Sequence, residues 1–229
     1  MTDLVLLPGL DGTATMHADF LSACTAFESA VAIAYPTDQL LGYAELEQWV
    51  RAQLPSNRPF VLLGESFSGP VALAIANKPP ANLVGLVLCA SFCQSPLPDL
   101  ALLTPALSLL PVHHAPRHLL SWWLFGPWTT RQLEQSLQAA LRSVSADLLR
   151  FRARTALRLN HCDCSRIRVP TLYLRAANDR LMPRVAAEQV VRNISHCRII
   201  DIPGPHLLLQ TNPLQSAEAV CAFFQNLPT

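Results

Sequence analysis

The chain has 229 residues, 51% of them hydrophobic and 14% charged, and 17 Lys and Arg against 16 Asp and Glu leave a net charge of +1. That length supports one sizeable core, burying roughly 70% of the unfolded chain's surface, and the composition excludes a disordered protein. The near-neutral balance gives no bulk attraction to nucleic acid, and no apolar run approaches the ~18 uninterrupted residues that cross a bilayer.

In chain order, strands are expected at 3–8, 30–35, 59–65, 83–90, 170–176 and 197–202, and helices over much of 16–27, 42–54, 68–77, 183–193 and 213–226. Gly42, Pro55, Pro79, Pro80 and Pro170 fall between these segments and punctuate them. Such alternation builds a mostly parallel sheet covered on both faces. Between Phe92 and Arg168 the strand signal disappears. This stretch opens with the proline-interrupted apolar run Leu97 to Val112, continues through Trp122, Trp123, Phe125 and Trp128, and then carries two helical patterns near 129–142 and 146–159. Two units are therefore expected: an α/β core made of 1–91 and 169–229, and a helical insertion over 92–168.

The first strand follows Met1 and Thr2 with no basic, apolar leader, so no signal peptide is expected. Seven cysteines (Cys24, Cys89, Cys93, Cys162, Cys164, Cys197 and Cys221) form no disulfide rhythm, and several sit in apolar runs, which suggests a reducing cytoplasm. The run His161, Cys162, Asp163, Cys164 is half a zinc pattern without a second pair at the usual spacing. No metal and no cofactor are expected.

The chemistry concentrates at Val61 to Gly69. An apolar strand meets Gly64, then Ser66, Ser68 and Gly69, and a helical stretch starts at once. A serine on a strained strand-to-helix turn needs small residues two positions before and after it, and Gly64 and Ser68 satisfy that. The turn aims the hydroxyl toward the N-terminus of the following helix, where unpaired N–H groups favour developing negative charge. Two later strands end in the same manner, one running into Asn178 and Asp179, the other into Pro203, Gly204, Pro205 and His206. A serine, an acid and a histidine therefore each follow the C-terminal end of an expected parallel strand, where ligand chemistry gathers in open α/β sheets. The segment Cys89 to Cys93, at an earlier strand end, offers no carboxylate. Ser66 is the expected nucleophile, His206 its base and Asp179 the group that orients the base. His17, His113, His114 and His118 are expected to be surface or packing residues, and Glu65 to point away from the site and brace the turn.

With these motifs the chain resembles the α/β-hydrolases over essentially its whole length. The resemblance implies that Leu4 to Leu7 is the strand before the oxyanion loop, that Pro8 to Gly12 is that loop, and that the backbone N–H groups of Leu10 and Phe67 are the oxyanion donors. Pro8 stands where the family often has His, and Ser68 where it usually has a second Gly; neither change removes a backbone donor. The family's N-terminal hairpin is not expected, leaving a sheet of about six strands, and the 92–168 insertion occupies the family's lid position. Its aromatic residues are expected either to line an apolar acyl pocket or to pack lid helices together.

The implied activity is a serine carboxylic-ester hydrolase. The 92–168 segment holds nine arginines against four acidic residues, a local balance of +5, with Arg150, Arg154 and Arg158 on one helical stripe. That stripe is either a solvated face or a docking surface for an anionic partner. In this respect the chain is similar to pimeloyl-acyl-carrier-protein methyl ester esterases, which would make an acidic acyl carrier protein a candidate partner. The start Leu7 to Gly12 also resembles acyltransferases that make lipid esters, and a non-catalytic binding module on the same fold is the third reading.

Overall fold

The computed structural model describes residues 2–98 and 117–227, with nothing described for the side chains of residues 117 and 118. Strands β1 (Asp3–Leu7), β2 (Ser29–Ala32), β3 (Phe60–Glu65), β4 (Leu83–Cys89), β5 (Thr171–Ala176) and β6 (Cys197–Ile202) form one sheet in the order β2-β1-β3-β4-β5-β6. Every neighbouring pair is parallel. The first connection leads outward from β1 to β2; the chain then crosses back to β3 and continues outward the other way. The direction reverses between β1 and β3, the place where such sheets open a crevice beyond their strand ends.

Period-two alternation divides the core into two layers. Val5, Leu7, Phe60 and Leu62 face one side, packing with α2 (Tyr43–Arg51), α3 (Gly69–Asn77) and α7 (Arg184–Asn193). Leu4, Leu6, Val61 and Leu63 face the other, against α1 (Ala18–Ala23), α8 (Leu208–Thr211) and α9 (Pro213–Gln225). All six residues of β3 are buried, so the strand leading to Ser66 is held on both faces. Between β4 and β5 the described chain carries α4 (Arg117–Leu124), α5 (Arg131–Arg142) and α6 (Ala146–Leu157). Thr130 and Ser145 start the last two: each side-chain oxygen accepts an N–H three residues on, from Leu133 and Leu148, at 3.2 Å.

Expectation and structure differ in three places. The helix expected over 16–27 occupies only Ala18–Ala23. Beyond it the backbone turns, with Phe27 N–H donating to Cys24 O, and Phe27 stacks on Phe224 at 4.6 Å; tertiary packing overrides the helical pattern. β2 ends at Ala32 rather than 35, because Tyr35 N–H leaves the sheet direction to bond Gly12 O at 2.8 Å. Helices α4 and α8 were not anticipated as separate elements. No helix among the described residues is long and apolar enough to cross a membrane.

Replacing Ser145 by Ala should destabilise the protein by about 1 kcal/mol, since one N-terminal N–H of α6 loses its acceptor. A urea titration should show a lower midpoint with an unchanged slope, and the effect should add to that of Thr130→Ala because the two caps serve different helices.

Candidate active site

Ser66 takes φ +47°, the left-handed region that a residue with a Cβ adopts at a cost of roughly 1–2 kcal/mol. It opens a 3-10 turn, Ser66–Ser68, that runs directly into α3. The strain is held in place by close packing. A Cβ added to Gly64 would lie 2.8 Å from the Ala72 Cβ and 2.9 Å from the Ser68 carbonyl oxygen. The tightest approach falls one residue later than the sequence pattern implies: a Cβ on Gly69 would meet Ser91 Oγ at 1.7 Å. Ser91 uses that closeness, donating its hydroxyl to the Ser66 carbonyl at 2.6 Å. Ser91 is fixed in turn by Tyr173, whose hydroxyl donates to Ser91 O at 2.6 Å and accepts from Ser91 N–H at 2.9 Å. Ser68 is more than small. Its buried hydroxyl donates to the Pro8 carbonyl and meets Tyr35 Oη at 2.5 Å, tying the turn to the loop after β1.

Ser66 Oγ lies 2.9 Å from His206 Nε2, and His206 Nδ1 lies 2.8 Å from Asp179 Oδ2. The second Asp179 oxygen accepts the N–H groups of Leu181 and Met182 at 2.7 and 2.8 Å. With both its oxygens engaged, the carboxylate has one orientation. The loops carrying Asp179 and His206 are joined through the backbone, Asn178 N–H donating to Gly204 O at 2.9 Å. A third contact comes from α4, where Leu207 N–H donates to Leu124 O at 3.3 Å. His206 is buried, which by itself disfavours the imidazolium; the Asp179 charge and hydrogen bond outweigh that, with Glu65 adding to them, and raise its pKa above 6.5.

Leu10 and Phe67, the expected oxyanion donors, follow the ends of adjacent strands. Leu7 pairs with Gly64 across the β1–β3 ladder, so the Pro8–Gly12 loop and the turn at Ser66 leave the sheet side by side. Phe67 is locked by its ring, stacked on Tyr43 at 5.0 Å and edge-on to Tyr35 at 6.4 Å.

Two groups at this rim gave little sign of themselves in the sequence. Glu65, expected to point away from the site and brace the turn, is buried and has charged company. Its Oε2 lies 2.7 Å from His17 Nε2, and its Oε1 accepts from Gln210 Nε2 at 3.0 Å. His17 is thus neither a surface residue nor a simple packing residue, as the sequence had suggested; it is buried and paired with an acid 48 residues away. Burial opposes both charges, but their mutual attraction prevails, raising the His17 pKa and lowering that of Glu65. Gln210 stands four residues beyond His206, so the pair also anchors the segment that follows this histidine. The second group is Arg152 of α6, one of the largest fully buried side chains. Its Nη1 donates to the carbonyls of Leu10 (3.1 Å) and Asp11 (2.6 Å), and its Nη2 to that of Pro36 (2.9 Å). Its neighbours Arg150 and Arg154 drew attention by their spacing, whereas Arg152 lies off that stripe.

The aromatic run between β4 and β5 divides. Phe125 is fully buried, while Trp122 and Trp123 remain 52% and 45% exposed, edge to face at 5.4 Å, with the Arg180 guanidinium 4.3 Å over Trp122. Of the arginine stripe, Arg150 and Arg154 are half-buried, Arg150 beside Asp147 at 2.9 Å, and Arg158 is exposed. His113 and His114, and the side chain of His118, lie outside the described residues. All seven cysteines are free, and burial pushes the thiols of Cys24, Cys162, Cys164 and Cys197 up to about 12, so thiolate chemistry at these positions is suppressed near neutral pH. Among the described residues no group of three or more His, Cys, Asp or Glu is placed to hold a metal ion.

Residues 42–209 match the family model described as serine aminopeptidase, S33, a hydrolase family. The chain belongs to this family of α/β-hydrolases. The match takes in α2, β3, the Ser66 turn and His206, and leaves β1, α1, β2, the end of α8 and α9 outside it. Solved structures agree on the fold across the chain. A hydrolase from Pseudomonas aeruginosa PA01 superposes with a TM-score of 0.81 at 20% identity, covering 97% of this chain and 89% of the other. The enol-lactonase from Burkholderia xenovorans LB400 gives 0.78 at 14%, covering 98% and 92%. A thermophilic esterase from Thermogutta terrifontis gives 0.74 at 19%, covering 100% and 90%. No curated protein sequence matches significantly.

The His206 environment makes a measurable prediction. Nitrogen-15 NMR of the imidazole should give a titration midpoint above 6.5 in the wild type. In Asp179→Asn the anion that offsets burial is gone, so the midpoint should fall below 6.5. An unchanged midpoint would show that Asp179 does not hold the imidazolium.

Proposed function

We propose that this α/β-hydrolase is a serine carboxylic-ester hydrolase that works through a covalent acyl-enzyme. The hydrogen-bonded series Ser66–His206–Asp179 carries the reading, since each distance lies within the 2.6–3.2 Å that proton transfer requires. In this scheme Ser66 Oγ attacks the ester carbonyl carbon while His206 Nε2 takes the hydroxyl proton. Asp179 accepts the hydrogen bond from Nδ1–H, keeps the imidazole in the tautomer whose Nε2 is free to accept, and stabilises the imidazolium. The N–H groups of Leu10 and Phe67 stabilise the carbonyl oxygen as it becomes an anion, each worth about 3 kcal/mol. Collapse of the tetrahedral adduct breaks the C–O bond, and His206 returns the proton to the departing alcohol. Water then repeats the sequence against the acyl-enzyme, releasing the acid and restoring Ser66.

Residues 92–168 are the lid of this reading. Their apolar and aromatic content supports a substrate with an apolar acyl part, and seven free cysteines support a cytoplasmic setting. A narrower version makes the substrate a methyl ester carried by an acidic acyl carrier protein. It rests on the +5 balance of the segment, although fewer arginines are available for docking than that count suggests, because Arg152 is fully buried and Arg150 sits beside Asp147. Two other outcomes remain distinct. Transfer of the acyl group to an alcohol uses the same residues with water excluded, and a non-catalytic binding module uses none of them.

Purified protein offered p-nitrophenyl esters of graded chain length should hydrolyse them, and Ser66→Ala should retain at most about one part in 10⁵ of kcat. A Ser66→Ala protein at a tenth of the wild-type rate, or wild type that a fluorophosphonate fails to label, would reject the reading. Alcohol acceptors added to the assay report transfer by the appearance of a new ester. An aminoacyl amide in the panel reports the peptidase activity named by the family. A methyl ester tested free and carrier-linked, at low and high salt, reports docking: a carrier preference that salt abolishes supports it.

A further inference from the structure

The loop that precedes the crevice is held by its carbonyls. Pro8 O accepts the Ser68 hydroxyl, Gly9 O accepts Gly12 N–H at 3.1 Å, and Gly12 O accepts Tyr35 N–H at 2.8 Å. The remaining two, Leu10 O and Asp11 O, both accept from Arg152. A trans peptide points its N–H opposite to its C=O. The Gly9 carbonyl, turned inward to Gly12, therefore sends the Leu10 N–H outward, and the next two peptide planes are fixed by the guanidinium. Arg152 comes from α6, far along the chain, and is 1% exposed. No described carboxylate forms an ion pair with it; its neighbours are three carbonyls and the Tyr35 ring, 5.6 Å from the guanidinium carbon. Asp11 lends the guanidinium some charge compensation without an ion-pair contact; a buried charge so loosely paired is costly, and a well-packed apolar side chain would hold α6 to the core more cheaply. What an apolar residue cannot do is hold three backbone carbonyls at once, a task suited to the rigid fork of arginine. Gly12 leaves room for it: φ is +70°, and a Cβ there would lie 2.4 Å from Nη1.

We propose that Arg152 is a positioning residue for the oxyanion hole, holding the Leu10 N–H in place from the proposed lid, so that the seating of α6 governs stabilisation of the transition state. This rests on the esterase reading above. Deleting an oxyanion donor costs about 10²–10³ in kcat, so loosening one should cost somewhat less, roughly 10- to 100-fold. Substrate binding before the oxyanion forms should change little.

The experiment measures Arg152→Met, Arg152→Lys and Arg152→Ala with a p-nitrophenyl ester, expressing kcat per site labelled by fluorophosphonate so that misfolded molecules are not counted. Three results are expected. kcat per labelled site falls about 10- to 100-fold in Arg152→Met while KM moves less than threefold. Affinity for a trifluoromethyl ketone, which forms the tetrahedral adduct, falls with kcat, whereas affinity for the non-fluorinated ketone does not. Arg152→Lys recovers little, and millimolar methylguanidinium restores part of the activity of Arg152→Ala. Should the Arg152 variants not fold, Gly12→Ala displaces the guanidinium from the other side and should give the same split. Wild-type kcat per labelled site with unchanged trifluoromethyl ketone affinity, in any folded variant, would overturn the proposal while leaving the esterase reading intact. Failure of the wild type to label, or an active Ser66→Ala, would overturn both.

Discussion

The hydrogen bond between Ser66 and His206 joins residues 140 positions apart, and the rest of the architecture serves to make that contact close. It forms because β3, β5 and β6 run parallel and end at one rim of the sheet, each delivering one member of the Ser66–His206–Asp179 series. Parallel strands buried on both faces cannot slide without moving whole rows of side chains into the wrong layer. The rim is therefore rigid enough to hold a hydroxyl and an imidazole at 2.9 Å. Ser66 stores strain at φ +47°, and that strain persists because Gly64, Gly69 and Ser91 leave the turn no alternative path.

Around this contact polar groups are withdrawn from water and given specified partners. Asp179 engages both oxygens, Tyr173 and Ser91 exchange hydrogen bonds, and Glu65 meets His17 and Gln210. Each such group would be expensive if orphaned, so each restricts the geometry of its neighbours. The Glu65–His17 pair holds three separate segments: the start of α1, the end of β3 and the chain after His206. Glu65 also acts on the His206 charge, favouring the imidazolium.

The segment between β4 and β5 meets this framework at several places. α4 reaches the histidine loop through Leu124 and α6 reaches the loop after β1 through Arg152, so the segment is fastened to both sides of the crevice. Fastening of this kind makes the position of its helices and the geometry at the strand ends interdependent. The exposed Trp122 and Trp123 show that the segment's aromatic content is not spent wholly on its own core.

Local pattern was enough to read the parallel sheet, five of the helices around it, and the three positions that meet at the rim. Strand ends, small residues beside a serine and chain order are all encoded within short windows. The shortened α1 escaped that reading because Phe27 answers to Phe224, near the other end of the chain. His17 escaped because a histidine beside a helix start says nothing of an acid 48 residues on. Arg152 escaped because, in sequence, it is one arginine among nine in its segment. Which of them is buried depends on which face of α6 meets the loop after β1. Periodicity and turn chemistry are properties of neighbours along the chain and are written in it. The pairing of buried charges and carbonyls depends on which distant surfaces are pressed together, and only the folded structure decides that.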